Sequence, residues 1–345
     1  MHTPRQGVGL KAFLGANAPA ELGSVLYALA EASLSVARLI RRGSLSGELD
    51  ATVGSAHDGI AQKALDVFAD KSFVDGLKGS GVRGVVSEER DDPVAVDGDG
   101  TLLVAIDPLD GSSNIDANVT IGTVFSVFDA PVDEVDGAQK FLQRGVRQRA
   151  AGLVVYGPHV AFVFTTGAGV HIATLDPDTN EYWVSDGVVS IPAESNEFAI
   201  NAANSRHWPG PVKRYIEDLL EGDEGPRRRN FNTRWIGSMV ADVYRILIRG
   251  GVYLYPEDSR PGYERGRLRL LYEANPVAFL IEQAGGAAND GFQRIMEIEP
   301  RVLHGRTPLI FGSKGKVERI ARYYREDSLS ANDSPLFAKR GLLRR

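Results

Sequence analysis

Cysteine is absent from this chain of 345 residues. The absence excludes disulfide bonds, thiolate metal sites and cysteine nucleophiles. No apolar run reaches the roughly 18 residues that a membrane-spanning helix needs, and the N-terminus has no basic stretch followed by an apolar core. We therefore expect a cytoplasmic protein with no membrane partner.

Long basic stretches are missing as well. Lys and Arg number 39 against 45 acidic residues, which gives a formal charge of -6. The one short basic cluster, 227–229, follows Gly225 and Pro226, and this setting favours a solvated loop over a ligand-binding role. We therefore expect no nucleic-acid partner.

Strand-like and helix-like patterns alternate along the chain without a short repeat, which predicts a layered α+β fold with mixed sheets. Helical spacing of apolar residues covers 20–41, the region around 60–73, 212–220, 236–248 and 276–284. Short apolar runs predict strands at 102–106, 124–128, 153–156, 161–165, 170–173, 198–201, 252–255 and 308–311. The Gly- and Ser-rich stretch 42–55 is expected to be a mobile loop.

The length of the chain predicts two packed subdomains rather than one. We place an N-terminal subdomain at 1–190 and a C-terminal one at 191–325. The polar tail at 326–345 is expected either to be disordered or to dock on a neighbouring subunit.

The strongest local signal is the acidic segment 106–116, which directly follows an apolar strand. Asp107 and Asp110 lie three apart across a turn stiffened by Pro108, so both carboxylates can face one cation, and Leu109 can add its backbone carbonyl. Oxygen ligands of this kind suit magnesium. The alternative is an ordinary surface turn, because Asp-Pro and Asp-Gly pairs are common there.

Small residues come directly after these acids. Gly111, Ser112 and Ser113 would let a phosphate approach backbone N–H groups and two hydroxyl donors. One loop could therefore hold both the metal ions and the phosphate that they polarise.

Further acids lie at other predicted element ends. Glu88 and Glu89 follow a β-like run, although such a pair is more often solvated, and Glu273 lies among apolar residues where burial without a cation would be costly. Four or five converging carboxylates repel one another unless cations neutralise them, which predicts two or three magnesium ions. Asp66 could join Glu89 in taking the proton from an attacking water, or could be an ordinary solvent-facing helix residue.

From about residue 20 to 325 the chain resembles type I fructose-1,6-bisphosphatases, members of the lithium-sensitive, metal-dependent sugar phosphatase superfamily. The matching segments are Ser87-Glu88-Glu89, the 107–116 block, Val240-Ala241-Asp242-Val243, Leu254-Tyr255-Pro256, and 268–273 with Asn275-Pro276. The resemblance implies an α-β-α-β-α sandwich and hydrolysis of the 1-phosphate of fructose 1,6-bisphosphate, in gluconeogenesis or the reductive pentose phosphate cycle.

Residue roles follow from the same resemblance. It implies metal ligation by Glu88, Asp107, the Leu109 carbonyl, Asp110 and Glu273, and activation of water by Glu89 and Asp66. The phosphate being removed would lie against Asp110, Gly111, Ser112 and Ser113. The sugar and its other phosphate would be bound by Asn201, Arg234, Met239, Tyr255 and Arg267. In the family the arginine that matches Arg234 reaches across from a neighbouring subunit, which implies a homo-oligomer, commonly a tetramer.

Several positions depart from the family pattern. Arg267 replaces a lysine, Trp235 replaces a tyrosine and Asn204 replaces a phosphate-binding tyrosine, so a sedoheptulose-1,7-bisphosphatase or a dual-specificity enzyme stays an alternative. A non-catalytic sugar-phosphate-binding regulator is a weaker one, and manganese stays open beside magnesium. Thr101 and Leu102 stand where animal members have a Lys-Tyr pair for AMP, so we expect weak or absent AMP inhibition.

Overall fold

The computed structural model describes residues 7–46, 51–55, 61–132 and 137–333. The α-helices in these residues are α1 Leu10–Asn17, α2 Ala20–Arg42, α3 Ala64–Gly76, α4 Gly210–Leu220, α5 Met239–Arg249, α6 Asn275–Gln283 and α7 Lys314–Asp333. The strands are β1 Val8–Gly9, β2 Thr52–Ser55, β3 Ala61–Lys63, β4 Val82–Ser87, β5 Val94–Ala95, β6 Leu102–Asp110, β7 Ile121–Asp129, β8 Gln148–Tyr156, β9 Val160–Thr165, β10 His171–Asp176, β11 Glu181–Val184, β12 Glu197–Ile200, β13 Asn232–Thr233, β14 Val252–Tyr255, β15 Leu268–Arg269, β16 Ala287–Asn289, β17 Arg306–Thr307 and β18 Leu309–Gly312.

A large mixed sheet organises the N-terminal part, with strand order β1-β11-β10-β9-β8-β7-β6-β4-β5. The pair β4 and β6 is parallel, and the other pairs are antiparallel. Every residue of β6 is buried. Burial of both faces explains why this strand is a continuous apolar run in the sequence rather than an alternating one.

A smaller mixed sheet, β13-β12-β14-β18-β16, lies in the C-terminal part. Helices α2 and α3 pack on one face of the large sheet, while α5 and α6 lie between the two sheets. Helices α4 and α7 cover the outer face of the small sheet. This is the expected α-β-α-β-α layering, and the predicted α+β class is confirmed.

The predicted helices and strands are present, with ends shifted by a few residues, but two local predictions are wrong. The stretch 42–55, expected to be a loop, contains a 3₁₀ turn, Gly43–Ser46, and β2, which pairs with β3. The turn expected after the apolar strand at Pro108 is not a turn, because β6 continues to Asp110. Within 42–55, residues 47–50 lie outside the described ranges, and so does most of the 326–345 tail.

A β-bulge interrupts the pairing of β6 with β7 at Pro108. Asp107 is paired with Val124 and Asp110 with Gly122, so three steps on β6 oppose two on β7. The Thr123 hydroxyl donates to the Pro108 carbonyl at 2.8 Å and fixes the bulge. Residues three apart on a regular strand point to opposite faces, and the one extra residue brings both aspartates to the same face.

One helix in the described residues, Ala20–Ser46 with its 3₁₀ extension, is long and apolar enough to cross a bilayer by length and composition. Its buried side chains, among them Val25, Leu26 and Leu29, belong to the core that also includes the large sheet. An amphipathic core helix passes the same test, so this feature is weak evidence for a membrane span.

Candidate active site

Three buried carboxylates meet where the large sheet faces the helical layer between the sheets. Oxygens of Asp107, Asp110 and Glu273 lie within 4.8 Å of one another. Asp107 and Asp110 come from the bulged end of β6, and Glu273 comes from the segment before α6. The expectation that Glu273 converges with the two aspartates, more than 160 positions away in the chain, is therefore met by the geometry.

Glu273 lies in a single wide turn of π-helix, Leu270–Ala274, whose residues are all buried. The backbone N–H of Arg269 donates a hydrogen bond to its Oε2. Such turns insert one residue into a helix and re-aim side chains, and they often occur at functional sites. Here the turn directs a carboxylate out of an otherwise apolar segment.

The cluster is electrostatically strained in the absence of cations. Burial, followed by repulsion from Asp110, raises the pKa of Asp107 well above its usual range. Burial, again followed by Asp110, also raises the pKa of Glu273, and burial raises the pKa of Asp110 to about 6 despite a hydrogen bond from the Val240 N–H at 3.2 Å. Groups that resist ionisation in this way are stabilised by a nearby cation.

Glu88 and Glu89 follow β4, the neighbour of β6 in the sheet. Both raise the pKa of Asp107 by charge repulsion, so they lie close to the cluster. The Glu88 carboxylate, however, accepts a hydrogen bond from Arg269 Nε at 3.0 Å. Glu88 therefore already has one cationic partner from the protein.

Asp66 lies in the first turn of α3 and is only 2% exposed, so the alternative of a solvent-facing helix residue is wrong. Its Oδ2 accepts from the Lys63 N–H at 2.9 Å, while its Oδ1 is buried and accepts no well-aligned hydrogen bond from the residues that the structure describes. Burial raises the pKa of Asp66 to about 6, and Glu88 adds to the rise. A buried carboxylate with one unused oxygen and a pKa near neutrality is suited to accept a proton.

The loop after β6 has the backbone that close approach of a phosphate requires. Gly111 has a φ of 84°, in the left-handed region that glycine favours, and Ser112–Asn114 forms a 3₁₀ turn. Lys63 Nζ donates to the Ser112 carbonyl at 2.9 Å. The Asn114 side chain donates to the Gly237 carbonyl at 3.0 Å, which joins this loop to the segment before α5.

The residues expected at the sugar and second phosphate occupy different environments. Asn201 and Tyr255 line one pocket together with Asn204 and Trp208. The guanidinium of Arg267 is exposed and stacks on Tyr263, 4.6 Å from its ring centroid. Tyr255 also stacks against Trp235, with 6.0 Å between ring centroids.

Met239 and Arg234 do not line this pocket. Met239 is buried in the apolar core between the sheets. Arg234 is exposed, and its Nε pairs with Glu197 at 3.2 Å. Glu197 also binds Arg245, which in turn binds the fully buried Asp242.

Four residues near the site were missed by sequence reasoning: Lys63, Glu197, Ser238 and Arg269. The Ser238 hydroxyl is buried and has no hydrogen-bond partner within the described ranges, and it lies 3.5 Å from where a Cβ on Gly111 would be. A serine before a helix is usually taken as a cap, yet Ser238 makes no such bond. The available signal for Arg269 was a charge inside an apolar run, the same signal that identified Glu273.

Comparisons with known proteins point to one family. A family model described as the N-terminal domain of fructose-1,6-bisphosphatase matches residues 11–187, and the C-terminal domain model matches 191–325. A class 1 fructose-1,6-bisphosphatase of Paracoccus denitrificans is 52% identical over 94% of this chain and 96% of its own length. Another, from Rhizobium meliloti, is 46% identical over 98% of this chain and 99% of its own.

A solved structure is also similar. The crystal structure of Leishmania major fructose-1,6-bisphosphatase in holo form superposes with a TM-score of 0.86 at 33% identity, covering 93% of this chain and 99% of the other.

Proposed function

The chain belongs to the fructose-1,6-bisphosphatase family and is a phosphoric monoester hydrolase with fructose-1,6-bisphosphatase activity, and from that premise we propose that water activated beside the Asp107–Asp110–Glu273 cluster attacks the 1-phosphate. The observation that carries the proposal is the convergence of three buried carboxylates within 4.8 Å.

Magnesium ions, two or three per subunit, fit this donor set. The donors are hard carboxylate oxygens, which magnesium prefers, and burial without a cation leaves them strained. Asp107, Asp110 and Glu273 would hold the ions, with Glu88 and the Leu109 carbonyl as further ligands. Manganese has the same ligand preferences and is the second candidate. When bound, the ions polarise the phosphoryl oxygens and stabilise the departing sugar alkoxide.

The surrounding residues would orient the reactants. Backbone N–H groups and hydroxyls at Gly111, Ser112 and Ser113 would hold the phosphoryl oxygens in line with the attacking water. Asp66, with Glu89, would accept the proton from that water as its oxygen bonds to phosphorus. The bond from phosphorus to the sugar O1 breaks, and the alkoxide takes up a proton to yield fructose 6-phosphate and phosphate.

The rest of the substrate would be bound by residues of the C-terminal part. Asn201, Tyr255 and Arg267 would contact the sugar and its 6-phosphate, with Met239 lining the site. Arg234 would come from a neighbouring subunit of a homotetramer. The setting would be the cytoplasm, in gluconeogenesis or the reductive pentose phosphate cycle.

Phosphate release from a panel of bisphosphorylated sugars tests this proposal, with excess magnesium, with manganese, and after chelation. We expect turnover of fructose 1,6-bisphosphate that chelation abolishes and that Asp110→Asn removes. Asp116→Asn is the matched control, because Asp116 lies in the same acidic block but is exposed.

Activity that persists after chelation would refute the metal-activated mechanism. A preference for sedoheptulose 1,7-bisphosphate would instead correct the substrate and leave the mechanism standing. That outcome is open because Trp235 and Asn204 replace tyrosines of the family pattern on the sugar side.

A further inference from the structure

Lys316, in the first turn of α7, is buried although its ammonium has no counter-ion in contact. The residue is 5% exposed, and within the described ranges its Nζ has neither a hydrogen-bond acceptor nor a salt bridge. It lies 4.6 Å from the ring centroid of Phe231. A cation–π contact compensates for only part of the loss of hydration when an ammonium is buried.

Arg227 lies on the same ring. Its guanidinium carbon is 5.2 Å from the Phe231 centroid and 5.8 Å from that of Tyr215. The Nη1 atom of Arg227 and the Tyr215 hydroxyl are both buried, and among the described residues neither has a hydrogen-bond partner other than the weak contact between the two side chains themselves. The prediction of a solvated loop at 227–229 is therefore wrong for Arg227, whose side chain points inward.

The charge around this pair is unbalanced in favour of cations. Arg229 and Arg319 act with Arg227 to lower the pKa of Lys316, after burial as the main cause, to about 8. Glu194 opposes them, and it is already paired with Arg229 at 2.7 Å. Because the chain as a whole carries -6, a local excess of positive charge is unusual, and in the part of the chain that the structure describes neither Lys316 nor Arg227 forms a salt bridge.

Buried donors that lack acceptors are found where a ligand supplies them. We propose that Lys316, Arg227 and Arg229 form a second anion site, in the outer helical layer beyond the small sheet, for an oxyanion with two negative charges such as the phosphate group of a metabolite. The site is separate from the acidic cluster. Phe231, which both cations contact, lies three residues before Arg234, so an anion here would contact the segment that leads to the substrate side.

Sulfate is a suitable probe, since it is a dianion and cannot be hydrolysed. Isothermal titration of the full chain with sulfate, in excess magnesium and at constant ionic strength, should show two sites in the wild type. Lys316→Met should lose one of them or weaken it at least about tenfold, as expected when a charge-assisted contact is removed. Arg227→Met should do the same, and it keeps the proposal testable if one variant folds poorly. Repeating the titration with glycerol 2-phosphate in place of sulfate distinguishes a site that binds a phosphate ester from one that binds only a free inorganic anion.

Lys140→Met is the matched control, because Lys140 also stacks on an aromatic ring, Phe141, at 5.4 Å but belongs to the N-terminal part. It should bind sulfate as the wild type does. Crystals soaked in selenate should show an anomalous peak within hydrogen-bond distance of Lys316 Nζ. Unchanged sulfate binding by both Lys316→Met and Arg227→Met, or selenate at the acidic cluster alone, would overturn the second site without touching the proposed catalysis.

Discussion

The Nε of Arg269 donates a hydrogen bond to Oε1 of Glu88 at 3.0 Å, although the two residues are 181 positions apart in the chain. The Arg269 side chain is buried, so it holds its charge beside the Glu88 carboxylate in the interior. The same residue donates its backbone N–H to Glu273. Arg269 thus neutralises one edge of the acidic cluster and fixes the other.

Arg269→Met should destabilise the metal-free protein by about 3 kcal/mol, because removing one partner of a buried pair leaves the other charge uncompensated. Excess magnesium should recover part of this loss, since cations would then neutralise the carboxylates. Thermal melts with chelator and with magnesium measure both effects. Arg294→Met is the control: Arg294 pairs with Glu282 near the surface, where a pair is worth at most about 1 kcal/mol. Equal losses in the two variants would contradict the assigned role of Arg269.

Asp110 makes the metal-free protein less stable as pH rises. Its pKa in the fold is raised from the ordinary 3.8 to about 6, so the folded state binds more protons than the unfolded state between these values. Stability from this group should fall as pH rises from about 4 to 6, by on the order of 3 kcal/mol, and then level off.

Asp110→Asn removes that pH dependence and should therefore be more stable than the wild type above pH 6 in chelator. In excess magnesium the order should reverse, since bound cations favour the ionised carboxylate. Denaturant unfolding at several pH values measures the difference. An Asn variant less stable than the wild type in chelator would argue against the strained cluster.

Asp66→Asn should lower kcat by at least about 100-fold, as is typical when a general base is lost. The affinity for magnesium, measured by titration calorimetry, should stay unchanged, because Asp66 is proposed as a proton acceptor rather than a ligand. Asp75→Asn, on the exposed side of the same helix, should leave kcat unchanged. A loss of magnesium affinity in Asp66→Asn would move this residue into the metal site.

Lys316 should make the stability of the folded protein depend on pH in the opposite sense to Asp110. Burial and the neighbouring Arg227, Arg229 and Arg319 lower its pKa to about 8, while Glu194 opposes the shift. The unfolded state therefore binds more protons between about 8 and 10.5, and stability from this group should rise with pH in that window. The advantage of Lys316→Met over the wild type should be greatest below pH 8 and should vanish near pH 10.5. A constant difference across this range would show that Lys316 is not strained.

Gly122 has no room for a side chain. A Cβ there would lie 2.3 Å from the Val154 carbonyl oxygen and 2.8 Å from Val240 Cγ2. Gly122→Ala should therefore destabilise the protein by about 2 kcal/mol or more, as overpacking does, and should disturb the Val240 N–H contact to Asp110. Gly98→Ala, where nothing lies within 4 Å, is the control and should be nearly neutral. Melting temperatures and kcat of the two variants provide the test.

The sequence predicted the parts of the site that depend on local pattern. A continuous apolar run identified β6, and a carboxylate within an apolar segment identified Glu273, because burial of either requires an explanation. The bulge at Pro108 could not be predicted, since its existence depends on pairing with β7 and on a hydrogen bond from Thr123. Local reasoning therefore predicted correctly that the two aspartates converge, and it was wrong about the turn that it expected between them.

Contacts between residues that are distant in sequence could not be predicted either. Nothing in the residues around Glu88 indicates that Arg269 would bind it, and nothing in 227–229 indicates that Lys316 would join Arg227 around one phenylalanine. These contacts arise only when separate layers pack together. The subdomain limits at 190 and 325 stay predictions.

Because of the extra residue in β6, the geometry of the acidic site depends on how many residues of β6 and β7 oppose each other, as well as on which side chains are present. A chain that had gained one residue on β7 opposite the bulge, beside Thr123, would pair regularly with β6 and would keep its charges, its apolar runs and its helices. Its two aspartates would nevertheless face away from each other across the sheet. Relatives carrying such an insertion would be candidates for proteins that retain this architecture while having given up hydrolysis, and they could be recognised from their sequences alone.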